Sequence, residues 1–188
     1  MCFVWEQRKF DEIFSGLQNN TLSRAELSTE NGNAVNVHYG DILVTLGEYV
    51  DISKTDLSYI TDDELIGKYS RSFLKDGDII IADTAEDETV GKCTEIVGSE
   101  GKTVISGLHT MPCRPLLDFA PKYLGYYMNS AAYHSQLYPL MQGIKVTSIS
   151  KSAIQNTIVS YPTSIEEQAK IGNAFSYMDD LITLHQCK

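Results

Sequence analysis

The sequence predicts an α+β fold: a twisted, β-rich body with helices in the second half and a long helix at the end. Three observations carry it. Apolar, β-branched runs entered through Gly-Asp pairs dominate the first half, at 35–46 and 76–83. Helical periodicity takes over after Pro121. The chain then closes on one unbroken amphipathic stretch from Ser164.

Taken in order, "VNVHYGDILVTL" (35–46) and "DGDIIIAD" (76–83) read as strands. "TEIVG" (94–98) and "KTVISGLHTMPCRPL" (102–116) read as two more, separated by a turn at "GSEGK". "TLSRAELSTENGNAV" and "SKTDLSYITDDELIGKYSRS" are long, polar and non-periodic, and read as loops. "PKYLGYYMNSAAYHSQLYPLMQG" carries Leu124, Tyr127, Met128 and Ala131, then Leu137, Leu140 and Met141. Pro121 suits a first helical turn, Gly143 a stop, and Asn129-Ser130 with Pro139 divide or kink the helix. "SISKSAIQNTIVSYP" offers Ser150 as a cap, one helical turn, then a strand through Val159. In "SIEEQAKIGNAFSYMDDLITLHQCK", Ser164 and Glu167 form a capping pattern. Ile171, Phe175, Met178 and Ile182 recur on one side of that helix and predict an oligomerisation face.

The chain of 188 residues is 43% hydrophobic, enough for one sizeable domain with an appendage. No run is long and apolar enough to span a membrane, and the first ten residues do not read as a secretory signal. Cys2, Cys93, Cys113 and Cys187 are scattered without a C-x-x-C pair, which points to reduced thiols in a cytoplasmic protein. Net charge is −10, against indiscriminate nucleic-acid binding. The distribution is uneven: residues 1–101 hold 20 acids and 8 bases, whereas residues 102–163 hold one acid and 5 bases.

Few constellations carry chemistry. Asp83, Glu86, Asp87 and Glu88 cluster within six residues and read as a solvated hairpin tip or a site for a hard cation. His38, His109, His134 and His185 are isolated. No nucleophile elbow, phosphate loop or dinucleotide fingerprint is present, so neither a catalytic residue nor a cofactor is expected. "MQGIKVTSISK" differs. Gly143 allows close backbone approach, and Lys145 and Lys151 flank Thr147, Ser148 and Ser150 at a predicted helix start. That composition serves either a phosphate backbone or an ordinary loop.

"WEQRKFDEI", "YGDIL", "GDIIIADTAEDETVGK", "SGLHTMPCRP", "PKYLGYYMNS", "GIKVTSISKSAI", "YPTSIEEQAKIG" and "MDDLITLHQ", in this order, resemble the specificity subunit of type I restriction-modification systems. The resemblance covers almost the whole chain. It implies one target recognition domain over residues 1–162 and the start of a conserved helical spacer over 163–188, a half-subunit or a fragment. It implies a non-enzymatic reader of double-stranded DNA that directs adenine methylation by modification subunits and cleavage by a restriction subunit. Self-association through the last helix would follow from spacer pairing. On this reading Lys145, Thr147, Ser148, Lys151 and Gly143 approach phosphates. Lys54, Tyr69, Ser70 and Arg71 come from the long polar loops, and Asp83, Thr84, Glu86 and Asp87 reach base amino groups. Two other readings stand beside it: a metal-dependent nuclease using Asp83, Glu86 and Asp87, and a scaffold that binds methyltransferase subunits without DNA.

Overall fold

The computed structural model describes residues 4–186. The first half contains β1 (Trp5–Lys9), α1 (Phe10–Ile13), β2 (Phe14–Gly16), β3 (Ala34–Val37), α2 (Tyr39–Val44), β4 (Tyr49–Asp51), β5 (Ser58–Ile60) and α3 (Asp63–Lys68). Then come β6 (Ile79–Ala82), β7 (Thr84–Ala85), β8 (Cys93–Val97), β9 (Val104–Ser106) and β10 (Thr110–Pro115). The second half holds α4 (Tyr123–Asn129), α5 (Ala131–His134), β11 (Thr147–Ser148), α6 (Lys151–Ile154), β12 (Ile158–Pro162) and α7 (Ile165–Gln186). The α+β expectation holds.

The central sheet runs β2-β10-β6-β8-β4, antiparallel except where β4 lies parallel to β8. A smaller sheet, β5-β3-β9, packs on one face. The isoleucine run of β6 explains the layering, because side chains alternate across a strand. Ile79 and Ile81 face a core with Met111, Tyr123, Leu124, Met128 and Tyr133. Ile80 and Ala82 face the opposite core, with Val35, Val37, Ile42 and Val104. A strand buried on both faces needs no polar alternation. Cys93 and Cys113 are free and buried, and burial pushes the Cys113 thiol up to about 12. Cys2 and Cys187 lie outside the described residues.

Three expectations need correction. The run 35–46 is not one strand. It stops at Val37, and His38 turns the chain into α2. His38 Nδ1 accepts from Gly40 N at 3.2 Å and Asp41 accepts from His38 N at 3.3 Å, so "HYGD" is a capping box and not a turn between strands. The polar stretch 53–72 is not a structureless loop. It forms β5 and then α3, started by Asp62, which accepts from Glu64 N and Leu65 N at 2.9 and 3.1 Å. The stretch 21–35 contains a 3-10 turn at Arg24–Glu26 and a bridge from Ser28 to Tyr59.

The start of α4 is made by a distant side chain and not by Pro121. Glu95 on β8 is 1% exposed. It accepts from Lys122 N at 2.6 Å and Gly125 N at 3.0 Å. Lys122 adopts a left-handed conformation, φ 71°, to aim its amide there. Burial pushes the Glu95 carboxyl up to about 7, against the pull of the Gly125, Lys122 and Leu124 amides. The folded state therefore holds this proton more tightly than the unfolded chain, whose value is near 4.5. The stability contributed is full below that value and is lost as pH rises through about 7. Glu95→Gln is expected to flatten a decline of roughly 3 kcal/mol between about pH 5 and about pH 8. Urea unfolding across that range checks it, and an unchanged slope in the variant would contradict it.

Candidate nucleic-acid interface

The pairing of β7 with β11 brings together much of what the sequence singled out. Thr147 lies opposite Ala85 and Ser148 opposite Thr84, and Ile149 N donates to Asp83 O at 2.9 Å. Asp83, Thr84, Thr147 and Ser148 thus share one ladder, with Gly143 and Lys145 in the loop that feeds it. Thr147 and Ser148 are in a strand, not at a helix start as expected. The helix start is Ser150, whose Oγ accepts from Ala153 N at 3.2 Å. Gly143 does allow a close approach, but to its own chain: a Cβ there would sit 2.0 Å from Val146 O.

His109 joins this ladder from the β9–β10 connection. Its Nδ1 lies 3.4 Å from Asp83 Oδ1 and 3.5 Å from Thr84 Oγ1, and Thr84 Oγ1 donates to Asp83 at 2.7 Å. Both oxygens face the same ring nitrogen. A relay needs the acid on one nitrogen and the hydroxyl on the other, so this trio has no nucleophile–base–acid order. His109 holds φ 54°, an uncommon backbone for a residue with a side chain. Tyr39 packs edge-on against it at 5.2 Å, and His38 lies 4.6 Å from Tyr39. Burial keeps His38 below its usual range, hence neutral and free to cap α2. Arg24 reaches the same helix through Asp41 at 2.8 Å.

The acidic tip is tied into its own hairpin. Asp87 accepts from Thr89 N at 2.9 Å and Thr89 Oγ1 at 2.5 Å, which lowers its carboxyl. Glu86 and Glu88 are exposed. Among the described residues, no three His, Cys, Asp or Glu side chains come close enough to hold a metal ion. Nothing in the geometry favours the nuclease reading.

The remaining candidates lie apart from the ladder. Lys151 lines a small cavity with Phe10, Phe14, Met111 and Cys113, whereas Val146, beside Lys145, lines a cleft with Tyr39 and Thr84. Lys151 and the loop that carries Lys145 border different depressions. Lys54 is paired with Asp51 at 2.7 Å. Tyr69 packs with Leu65 and Ile66, and Ser70 and Arg71 form the 3-10 turn after α3. Sequence reasoning missed Tyr39 and Arg24 and set His109 aside as isolated. Their common signal was modest: a histidine followed by a tyrosine before Gly-Asp, and a histidine after a glycine between two strands.

The last helix docks through a stripe the sequence reading passed over. Gln168 and Ser176 are buried at four-residue steps around Gly172. Gln168 accepts from Ala120 N at 2.9 Å and donates to Pro162 O at 2.8 Å. Ser176 takes Lys122 Nζ at 2.9 Å, and Tyr126 donates to Asp179 at 2.5 Å. A Cβ at Gly172 would lie 3.1 Å from Pro121 O, so its absence lets the helices close. The apolar stripe points elsewhere. Ile171 is half-buried, Phe175 stacks on Tyr126 at 5.5 Å, and Met178 and Ile182 are exposed. Ser164 caps the helix as expected, accepting from Glu167 N at 3.3 Å.

Known structures settle what this architecture is. An S subunit of a type I restriction-modification system from M. genitalium superposes with a TM-score of 0.59 over 95% of this chain, at 15% identity. The chain has the fold of a type I specificity subunit. The HsdS subunit from Thermoanaerobacter tengcongensis gives a TM-score of 0.56 over 96% of the chain at 16% identity. A structure described for the complex assembly and conformational transition of a type I system gives 0.61 at 14% identity. This chain spans about two fifths of the length of these specificity-subunit chains, 38–40%. No family model and no curated protein matches the sequence. Among the described residues no helix is long and apolar enough to cross a membrane.

Proposed function

We propose that the chain is a DNA sequence-recognition module of a type I restriction-modification complex, a target recognition domain followed by a helical spacer. One observation supports it most: the specificity-subunit fold extends over 95% of the chain. The module reads duplex DNA and catalyses nothing. Modification subunits, which bring their own cofactor, methylate the site, and a restriction subunit acts through the complex, in the cytoplasm. The β7–β11 ladder with Lys145 is its approach to DNA, and the acidic remainder repels non-specific duplex, since affinity for phosphate is electrostatic.

An electrophoretic shift on random duplex DNA, with and without the modification subunits, tests this reading. Binding that survives competition by a polyanion such as heparin supports it. Binding to the modification subunits without any DNA contact would favour a scaffold and sink it. Lys145→Ala is expected to weaken cognate and non-cognate DNA alike and to lower the salt slope by about one unit. Lys151→Ala is expected to do the same, and a loss of sequence preference with the salt slope unchanged would contradict both. Phe175→Glu, on the half-exposed stripe of α7, is expected to lose the Tyr126 stacking, leave the fold intact and shift self-association toward monomer. A parent chain that sediments as a monomer at high concentration would contradict that expectation.

A further inference from the structure

The loop from Gln142 to Ser148 is braced at its base and uncovered at its tip. Gln142 and Ser148 exchange backbone bonds of 3.0 and 2.8 Å, and β11 is pinned to β7. Gly143, at φ 117°, turns so tightly that Val146 O occupies the space a side chain would need. Ile144 is wholly exposed at 101%, and Val146 is 55% exposed. Across the cleft Val44 on α2 is 81% exposed. That cleft, about 430 Å³, is lined by Tyr39, Val44 and Val146 on its apolar side and by Thr84, Glu86 and Asp87 on its acceptor side.

Folding gains nothing by leaving three aliphatic side chains, Val44, Ile144 and Val146, in water. Lys145 stands between two of them. The combination is an apolar tip, carboxylate and hydroxyl oxygens below it, and one cation beside it. A duplex major groove presents the complement of each: the 5-methyl group of thymine, the amino donors of adenine and cytosine, and the phosphate at the groove wall.

We infer that Ile144 and Val146 contact thymine methyl groups in the major groove, with the cleft between α2 and β7 as the base-reading edge. The inference rests on the DNA-recognition reading above and adds which residues read and what they read. Ile144 at the tip enters deepest, Val146 supports it, and Lys145 takes the adjoining phosphate.

The test uses the full chain and the duplex it enriches from a random library. Each thymine is replaced singly by uracil, which removes only the methyl group. At one or two positions the replacement is expected to weaken binding about four-fold, the worth of one buried methyl. Ile144→Ala is expected to weaken binding to the thymine duplex and to abolish the penalty at one of those positions. Val146→Ala should do so at that position or the next. Both side chains are exposed, so melting temperature should not change. An enriched duplex that lacks thymine, or one whose uracil penalties stay as in the parent chain in both variants, overturns this inference and leaves DNA recognition standing. Enrichment of no duplex overturns both.

Discussion

Replacing Arg114 by methionine is expected to cost about 3–5 kcal/mol of stability, the usual consequence of stranding one member of a buried ion pair. Asp78 is 2% exposed, in the turn that leads into β6. Arg114 donates to both its oxygens, at 2.9 and 2.7 Å, and to Phe73 O at 2.8 Å. Without the guanidinium, Asp78 keeps only the Lys75 amide at 2.8 Å. The pair ties β10 to the turn before β6, so its loss loosens the middle of the central sheet. Adding Asp78→Leu to Arg114→Met should recover most of the loss, because the stranded charge and not the missing contact carries the cost. Chemical denaturation of the two single variants and the double variant completes the cycle. A loss below about 1 kcal/mol in Arg114→Met, typical of an exposed pair, would contradict this.

Gly125→Ala is expected to destabilise by about 3 kcal/mol or more, although alanine is the better helix former by roughly 1 kcal/mol. A Cβ there would lie 2.0 Å from Glu48 O and 3.1 Å from the Glu95 Cβ. The obstacle is backbone, so α4 must move and not merely repack. That motion would also pull Lys122 and Gly125 from Glu95 and disturb the Lys122–Ser176 and Tyr126–Asp179 contacts that hold α7. A lower melting temperature should come with faster proteolysis near Pro162. Gly67→Ala, in α3 with open space around it, is the control and should be neutral or slightly stabilising. Equal behaviour of the two variants would mean that α4 is not seated as described.

Local features were the legible part of this fold. Ser150 and Ser164 announced helix starts because a capping hydroxyl works within four residues of chain. The β6 run announced a strand because its apolar content is continuous. What stayed hidden was non-local. Glu95 caps a helix that begins 28 residues later, and nothing near Pro121 says so. His38 looked like part of a strand because histidine is an unusual cap and the run behind it is β-branched. The docking face of α7 was not legible for a related reason. Its apolar stripe drew attention, while the face that docks carries Gln168, Gly172 and Ser176, small or polar residues that fit because Ala120, Pro121, Lys122 and Pro162 meet them. At the candidate interface the sequence placed Asp83, Thr84, Thr147 and Ser148 in two separate segments. Only the β7–β11 pairing puts them on one ladder, and only the left-handed turn at His109 brings that ring to Asp83.

Sequence preference for duplex DNA tests the central claim most directly. The chain, alone and with the modification subunits, is titrated against the duplex it enriches and against the same bases in scrambled order, at one fixed salt concentration. A recognition module should bind the enriched duplex at least about a thousand-fold more tightly. Equal affinity for the two duplexes, or no affinity for either, would contradict it.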